Sequence, residues 1–256
     1  MRFEGKRGIV TGGGSGMGRE VVHLVTAQGG KVLIVDQNEE GAASVAAEVE
    51  ENPGSASYFA ADVTKEAEVA AAVERCVSEL GGLDFIHNNA GVQLEQPLHE
   101  TTEEEWDWVN NVNLKGVFFG CKHAVIAMLD RGEGGSIVNT ASIVAHTADP
   151  FIAAYSATKT GVLGITRAIA VGYAEQGIRA NTVSPGDMET PMLKKYFDAN
   201  PDPAAAKAEM ESAYPGKRLA HPREVAQAAV FLLSDDASFV SGEDITVDAG
   251  LLAKTY

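Results

Sequence analysis

Residues 155–159 read YSATK, a phenol and a primary amine four positions apart. On an α-helix, residues i and i+4 lie one above the other on one face. Tyr155 and Lys159 would then project together, one turn apart. A free phenol has a pKa near ~10 and is a poor base at neutral pH. A nearby ammonium favours the phenolate by charge. Lowering a phenol by about 3 units takes roughly 4 kcal/mol of differential interaction. An ammonium in a partly dry cleft, helped by a second positive charge, supplies an effect of that order. The chemistry on offer is general acid/base catalysis at a hydroxyl. Such pairs also recur by chance on alanine-rich helices, so the surroundings must decide.

The glycine-rich stretch TGGGSGMG (11–18) follows one short apolar run and opens a helical one. Its amides could face an anion, with the helix dipole in support. Gly12, Ser15, Gly16, Met17 and Gly18 are the candidate contacts. Walker A is excluded, because Arg19 and Glu20 follow Gly18. The strict GxGxxG register also fails, leaving T-G-x-x-x-G-x-G. Asp36 ends the second apolar run. A carboxylate there can accept hydrogen bonds from both hydroxyls of an adenosine ribose and would repel a 2′-phosphate. No Arg or Lys stands at 13–15 or 37–38, so the pattern reads as NAD rather than NADP.

The elements that must position these residues alternate regularly. Strands are expected at 8–10, 31–35, 57–61, 83–87, 136–140, 178–183 and 244–247. Helices are expected at 17–28, 39–51, 66–80, 103–130, 155–176 and 222–234. This alternation predicts βαβ units and a parallel sheet. Nearly continuous apolar strands predict helices on both faces. No linker or repeat interrupts the chain, so residues 1–256 read as one domain. Residues 187–217 form a long connection rich in Met, Tyr and Phe, expected to be a partly helical lid over a pocket.

Bulk properties bound the partners. The 256 residues carry a formal charge of −16. That argues against non-specific nucleic-acid binding and against an anionic membrane surface. The N-terminus lacks the apolar core of a signal peptide, and no apolar run approaches the roughly 18 residues of a membrane span. Cys76 and Cys121, with no CxxC, fit a reducing cytoplasm and give no zinc site. The six histidines show no metal-ligand spacing.

Taken in order, TGGGSGMG, Asp62-Val63, NNAG (88–91), NVNLKG, NTAS, YSATK, PGDMET and VDAG (247–250) span essentially the whole chain. In this order and spacing the sequence resembles the short-chain dehydrogenase/reductase family in its single-domain form. The resemblance implies a Rossmann fold with strand order 3-2-1-4-5-6-7 and a homotetramer built on helices 103–130 and 155–176. It implies a catalytic tetrad of Asn113, Ser142, Tyr155 and Lys159. It implies that Asp62 and Val63 contact adenine, and that Asn89, Ala90 and Gly91 support the sheet and line the nicotinamide side. Pro185 and Gly186 would form a wall of that site, with Met188 and Thr190 on the carboxamide.

In such a site Tyr155 is the general acid/base. Lys159 tunes it and binds the ribose. Ser142, at a strand end, donates to the substrate oxygen, although a serine there also serves as a cap. Asn113 is an unfavourable residue inside a long helix; a kink there could hold a water that passes protons to Lys159. Asp187 and Glu189 depart from the family's small or apolar residues and are expected to face solvent. Ala249 replaces a usual glycine, a change expected to be silent. His146 is expected to face solvent and His87 to be structural.

Pocket walls are expected from 93–96, 143–150 and the lid. Their apolar side chains, such as Val92, Leu94, Val144, Phe151, Met188, Met192 and Phe197, suggest a secondary alcohol or ketone with considerable apolar surface. Lys194 and Lys195 could attract an anion or form a solvated face. A different reading stays open: a non-catalytic NAD-binding redox sensor or scaffold on the same fold.

Overall fold

In a computed structural model describing residues 1–255, β-branched runs pair into seven parallel strands in the order 3-2-1-4-5-6-7. These are β1 (Arg7–Thr11), β2 (Lys31–Asp36), β3 (Ser55–Ala60), β4 (Phe85–Asn88), β5 (Gly135–Thr140), β6 (Ile178–Pro185) and β7 (Asp244–Val247). The helices are α1 (Gly16–Thr26), α2 (Glu39–Glu48), α3 (Glu66–Leu80), α4 (Glu103–Asn110), α5 (Gly116–Arg131), α6 (Ala153–Gly172), α7 (Pro191–Asp198), α8 (Pro203–Ala213) and α9 (Pro222–Leu233).

Strand side chains alternate between two cores, as a period of two requires. Val10, Val32 and Ile34 meet α1, α2 and α9 on one face. Ile9, Leu33 and Val35 meet α3, α5 and α6 on the other. This two-sided burial explains why the strands read as apolar runs rather than alternating ones.

Two boundaries differ from expectation for local reasons. The last helix expected before β6 stops at Gly172; a separate tight turn follows, ending at Gly177 with φ +72°. The helix expected at 103–130 is interrupted. Between α4 and α5 lies one π turn, Asn111–Lys115. Together they form a helical run, Glu103–Arg131, long and apolar enough to cross a membrane by length and composition. That exceeds what the sequence suggested. However, Val117, Cys121, Ala124, Val125 and Met128 on this run are buried in the core.

Residues 187–217 carry α7 and α8, each opened by a proline in its first turn and a side-chain cap. Thr190 caps α7 and Asp202 caps α8. Neither helix has a fully buried residue. Elements with so little buried surface open at low free-energy cost.

Ala249 is not a silent replacement. Its φ is +52°, a left-handed conformation that costs a residue with a Cβ roughly 1–2 kcal/mol.

Candidate active site

The order 3-2-1-4 reverses direction between β1 and β4. Ligands of open α/β sheets sit outside the carboxyl ends of strands at such a reversal. Four of the sequence motifs emerge from those ends.

The glycine turn joins β1 to α1 by close packing. Gly12 has φ +63°, and a Cβ on it would lie 2.8 Å from the Ala90 Cα. A Cβ on Gly18 would collide with the Gly12 carbonyl. Asn89 Nδ2 donates to the Thr11 and Gly12 carbonyls, both at 3.1 Å. The Thr11 hydroxyl accepts from the Asn89 and Ala90 amides at 2.9 and 3.1 Å. So Asn89 and Ala90 brace the turn. Ser15 precedes α1 without using its side chain as a cap, which leaves the helix N-terminus to be met from outside the chain. A Cβ on Gly16 would lie 3.5 Å from Thr190 Cγ2. Thr190 thus faces the turn across a narrow groove, with Met17 buried beneath in the α1 core.

Asp36 ends β2 with both oxygens oriented. Oδ2 accepts from the Gly14 amide at 3.0 Å and Oδ1 from the Asn38 amide at 2.9 Å. The nearest basic residue along α1, Arg19, is engaged with Glu20 and Glu48. Asp62 is fixed in the loop after β3, where its Oδ1 accepts from the Thr64 amide and hydroxyl at 2.9 and 2.7 Å. Burial raises the Asp62 pKa, but these bonds and Lys65 outweigh it and hold it below the usual value. Val63 packs on the start of α5, within 3.2 Å of where a Gly116 Cβ would stand.

Tyr155 falls in the first turn of α6, and Lys159 stacks one turn later. Its Nζ lies 5.4 Å from the centroid of the Tyr155 ring. Lys159 is buried, with Nζ donating to the Thr140 carbonyl at 2.8 Å. Ser142 stands two residues past β5 and is buried. Its Oγ accepts from the Val144 amide at 3.4 Å, so the capping role is present, and it stands near enough to the Tyr155 phenol to pull the phenol's pKa down.

The electrostatic balance differs from the sequence expectation. Loss of hydration pushes the Tyr155 phenol up to about 12, against the pull of Ser142. Burial also lowers Lys159 to about 8. Within the chain alone, desolvation wins over ion pairing.

Asn113 is buried inside the π turn. Its side chain clamps the backbone of Val92. Oδ1 accepts from the Val92 amide at 2.8 Å, and Nδ2 donates to the Val92 carbonyl at 2.7 Å. Gly91 lies between the catalytic candidates: a Cβ there would be 3.3 Å from Asn113 Oδ1 and 3.7 Å from Lys159 Nζ. Asn110 and Asn111 are half-buried.

His87 is fully buried, with Nε2 3.0 Å from the Thr140 hydroxyl. Burial first, then the Lys159 charge, drop its pKa to about 3, so it is neutral. His146 stays exposed but lies 2.6 Å from Asp244 Oδ2, tying the loop after Ser142 to β7. Lys194 pairs with Asp198 on the exposed face of α7.

Pro185 ends β6, and Gly186 donates its amide to the Val247 carbonyl at 3.0 Å. Met188 bridges to Ala220. The expectation that Asp187 faces solvent is wrong. Its Oδ2 accepts from the Tyr214 hydroxyl at 2.9 Å, and burial raises its pKa. Glu189 does face outward, paired with Lys207 at 2.7 Å. Sequence reasoning missed three partners. Tyr214 read only as lid apolarity, the Val92 backbone has no sequence signal, and Thr140 was visible only as part of NTAS.

The comparisons agree with this geometry. Residues 12–252 match a family model described as enoyl-(acyl carrier protein) reductase. The chain is 41% identical over 252 residues to the 2,5-dichloro-2,5-cyclohexadiene-1,4-diol dehydrogenase of Sphingobium indicum, covering 98% of each. It is 40% identical over 254 residues to the cyclohexanol dehydrogenase of an Acinetobacter species, covering 99% of this chain and 97% of that protein. The crystal structure of levodione reductase superposes with a TM-score of 0.95 at 36% identity, over 100% of both chains. With its motifs in order, its strand topology and these relatives, the chain belongs to the short-chain dehydrogenase/reductase family and is an oxidoreductase.

Proposed function

We propose that the protein transfers a hydride between NAD and a secondary alcohol or ketone. The observation that carries this is the convergence of Tyr155, Ser142 and Lys159 beyond the end of β5. The cofactor fits the groove that these strand ends leave. Gly12, Ser15, Gly16, Met17 and Gly18 would hold its pyrophosphate at the α1 N-terminus. Asp36 would take the adenosine ribose hydroxyls, which favours NAD over NADP. Asp62 and Val63 would flank the adenine. Asn89, Ala90, Gly91, Pro185 and Gly186 would line the nicotinamide side, with Met188 and Thr190 on the carboxamide.

When bound, NAD supplies the hydride acceptor and a positive ring. Tyr155 takes the hydroxyl proton in the oxidative direction and returns it in the reverse. Its pKa of about 12 in the chain alone calls for positive charge in addition to Lys159. Ser142 donates to the substrate oxygen as charge develops there. Lys159 holds the ribose and the electrostatics of the phenol. The π turn at Asn113 breaks the regular helical ladder, which suits a water relay toward Lys159.

The substrate carries considerable apolar surface. Val92 against Asn113 and Val144 beside Ser142 support this, as do relatives named for small cyclic alcohols and diols. The lid is 187–217. A homotetramer is the proposed assembly, and Trp106, Trp108, Phe118, Ile126 and Leu129 stand exposed on α4 and α5. Two buried free cysteines suit a reducing cytoplasm.

The experiment is Tyr155→Phe with NAD binding and turnover measured together. Binding is expected to persist while kcat falls by about 10²–10⁴-fold. Undiminished turnover would contradict the assignment. A wild type that binds NAD tightly and turns over no alcohol would favour the sensor reading.

A further inference from the structure

Asp187 is an unusual neighbour for a phenol that must become negative. It follows Pro185 and Gly186 at the carboxyl end of β6. That end lies beside the end of β5, where the Ala141 amide donates to the Val183 carbonyl at 2.9 Å just before Ser142. A carboxylate there opposes ionisation of Tyr155. A like charge at such a site calls for a compensating use.

The carboxylate is also held in a defined orientation. The Tyr214 hydroxyl accepts from the Asp187 amide at 2.5 Å and donates to Asp187 Oδ2 at 2.9 Å. One hydroxyl thus grips the backbone and the side chain of the same residue, which fixes its rotamer. Gly186 is required for the grip, since a Cβ there would lie 2.7 Å from the Tyr214 oxygen. The stem below is zipped as well. The Ala220 amide donates to the Asp187 carbonyl at 3.1 Å, and the Glu189 amide to the Ala220 carbonyl at 3.0 Å. Tyr214 is itself buried at the end of α8. Among the described residues, nothing donates to Asp187 Oδ1. That oxygen is left for a donor from outside the chain.

We propose that Asp187, aimed by Tyr214, accepts a hydrogen bond from a second hydroxyl of the substrate, so that the enzyme selects cyclic diols over the corresponding simple alcohols. This rests on the alcohol-oxidising reading above. Asp187 is then a specificity-determining residue and Tyr214 a positioning residue that acts through it. A neutral hydroxyl is the fitting donor. Glu95 and Asp149 add negative charge near Asp187, which disfavours an anionic substrate.

The test compares kcat/KM for cyclohexanol with that for each cyclohexanediol isomer, using NAD, in wild type, Asp187→Asn, Asp187→Ala and Tyr214→Phe. In the wild type at least one diol should exceed cyclohexanol. A hydrogen bond to a charged group supports a preference of roughly tenfold or more. The ratio should fall in Asp187→Asn, vanish in Asp187→Ala and fall in Tyr214→Phe, with the change mainly in KM for the diol. A wild type that prefers cyclohexanol to every isomer would overturn the proposal. So would a ratio unchanged in Asp187→Ala, or, if that variant does not fold, in Tyr214→Phe. Turnover with a flat ratio removes the diol reader alone. No turnover of any alcohol removes the underlying reading with it.

Discussion

Asp36 shows how much one side chain can decide. Both of its oxygens are already oriented by backbone amides, so little further ordering is needed for it to meet a ribose. Asp36→Ala should weaken NAD binding by about tenfold or more, the worth of hydrogen bonds to a charged acceptor. It should also raise the relative affinity for NADP, because a repelling charge is gone. Titration of both cofactors checks this; a wild type that already prefers NADP would contradict it. The placement of Tyr155 and Lys159 one turn apart on α6, and of Asp36 at the end of β2, was legible because spacing and strand ends show in the sequence. Asp187 was not. Its partner Tyr214 lies 27 positions away, and no periodicity links them. The desolvation that raises the Tyr155 phenol in the chain alone has no signal in a sequence, whereas charge pairing does.

At the scale of elements, the π turn carries the most information. An asparagine inside a long helix signalled an irregularity, and Asn111–Lys115 is one. Its cause is now visible: Asn113 spends its side chain on the Val92 backbone. Asn113→Ala would leave the part-buried Val92 amide and carbonyl without these partners. The cost is about 1–3 kcal/mol for each unsatisfied group, enough to lower the melting temperature by several degrees in a chain of this length. Turnover should drop as well, because Gly91 lies between Asn113 Oδ1 and Lys159 Nζ. Calorimetry with steady-state rates checks both; an unchanged melting temperature would contradict the clamp. Strand and helix positions were legible from apolar periodicity. Their ends were not, because those depend on caps such as Thr190 and on turns such as Gly177.

At the scale of the molecule, the sheet explains why distant motifs act together. Parallel strands covered on both faces bring the glycine turn, NNAG, Ser142 and the Pro185–Thr190 strap to one edge. Tyr155, in the first turn of α6, lies beside Lys159 and Ser142 at that edge. Strand order and the two cores followed from pattern and resemblance. The seating of the lid did not, since α7 and α8 bury no residue fully and so offer no buried face that marks where they sit. The proposed activity belongs to the whole assembled edge: oxidation of a secondary alcohol with NAD. The direct measurement mixes the purified protein with NAD or NADP and a panel of cyclic and open-chain secondary alcohols, and follows reduced cofactor. The account predicts turnover on cyclic secondary alcohols with NAD and a much lower kcat/KM with NADP. Tight NAD binding without reduction by any alcohol, or a preference for NADP, would contradict it.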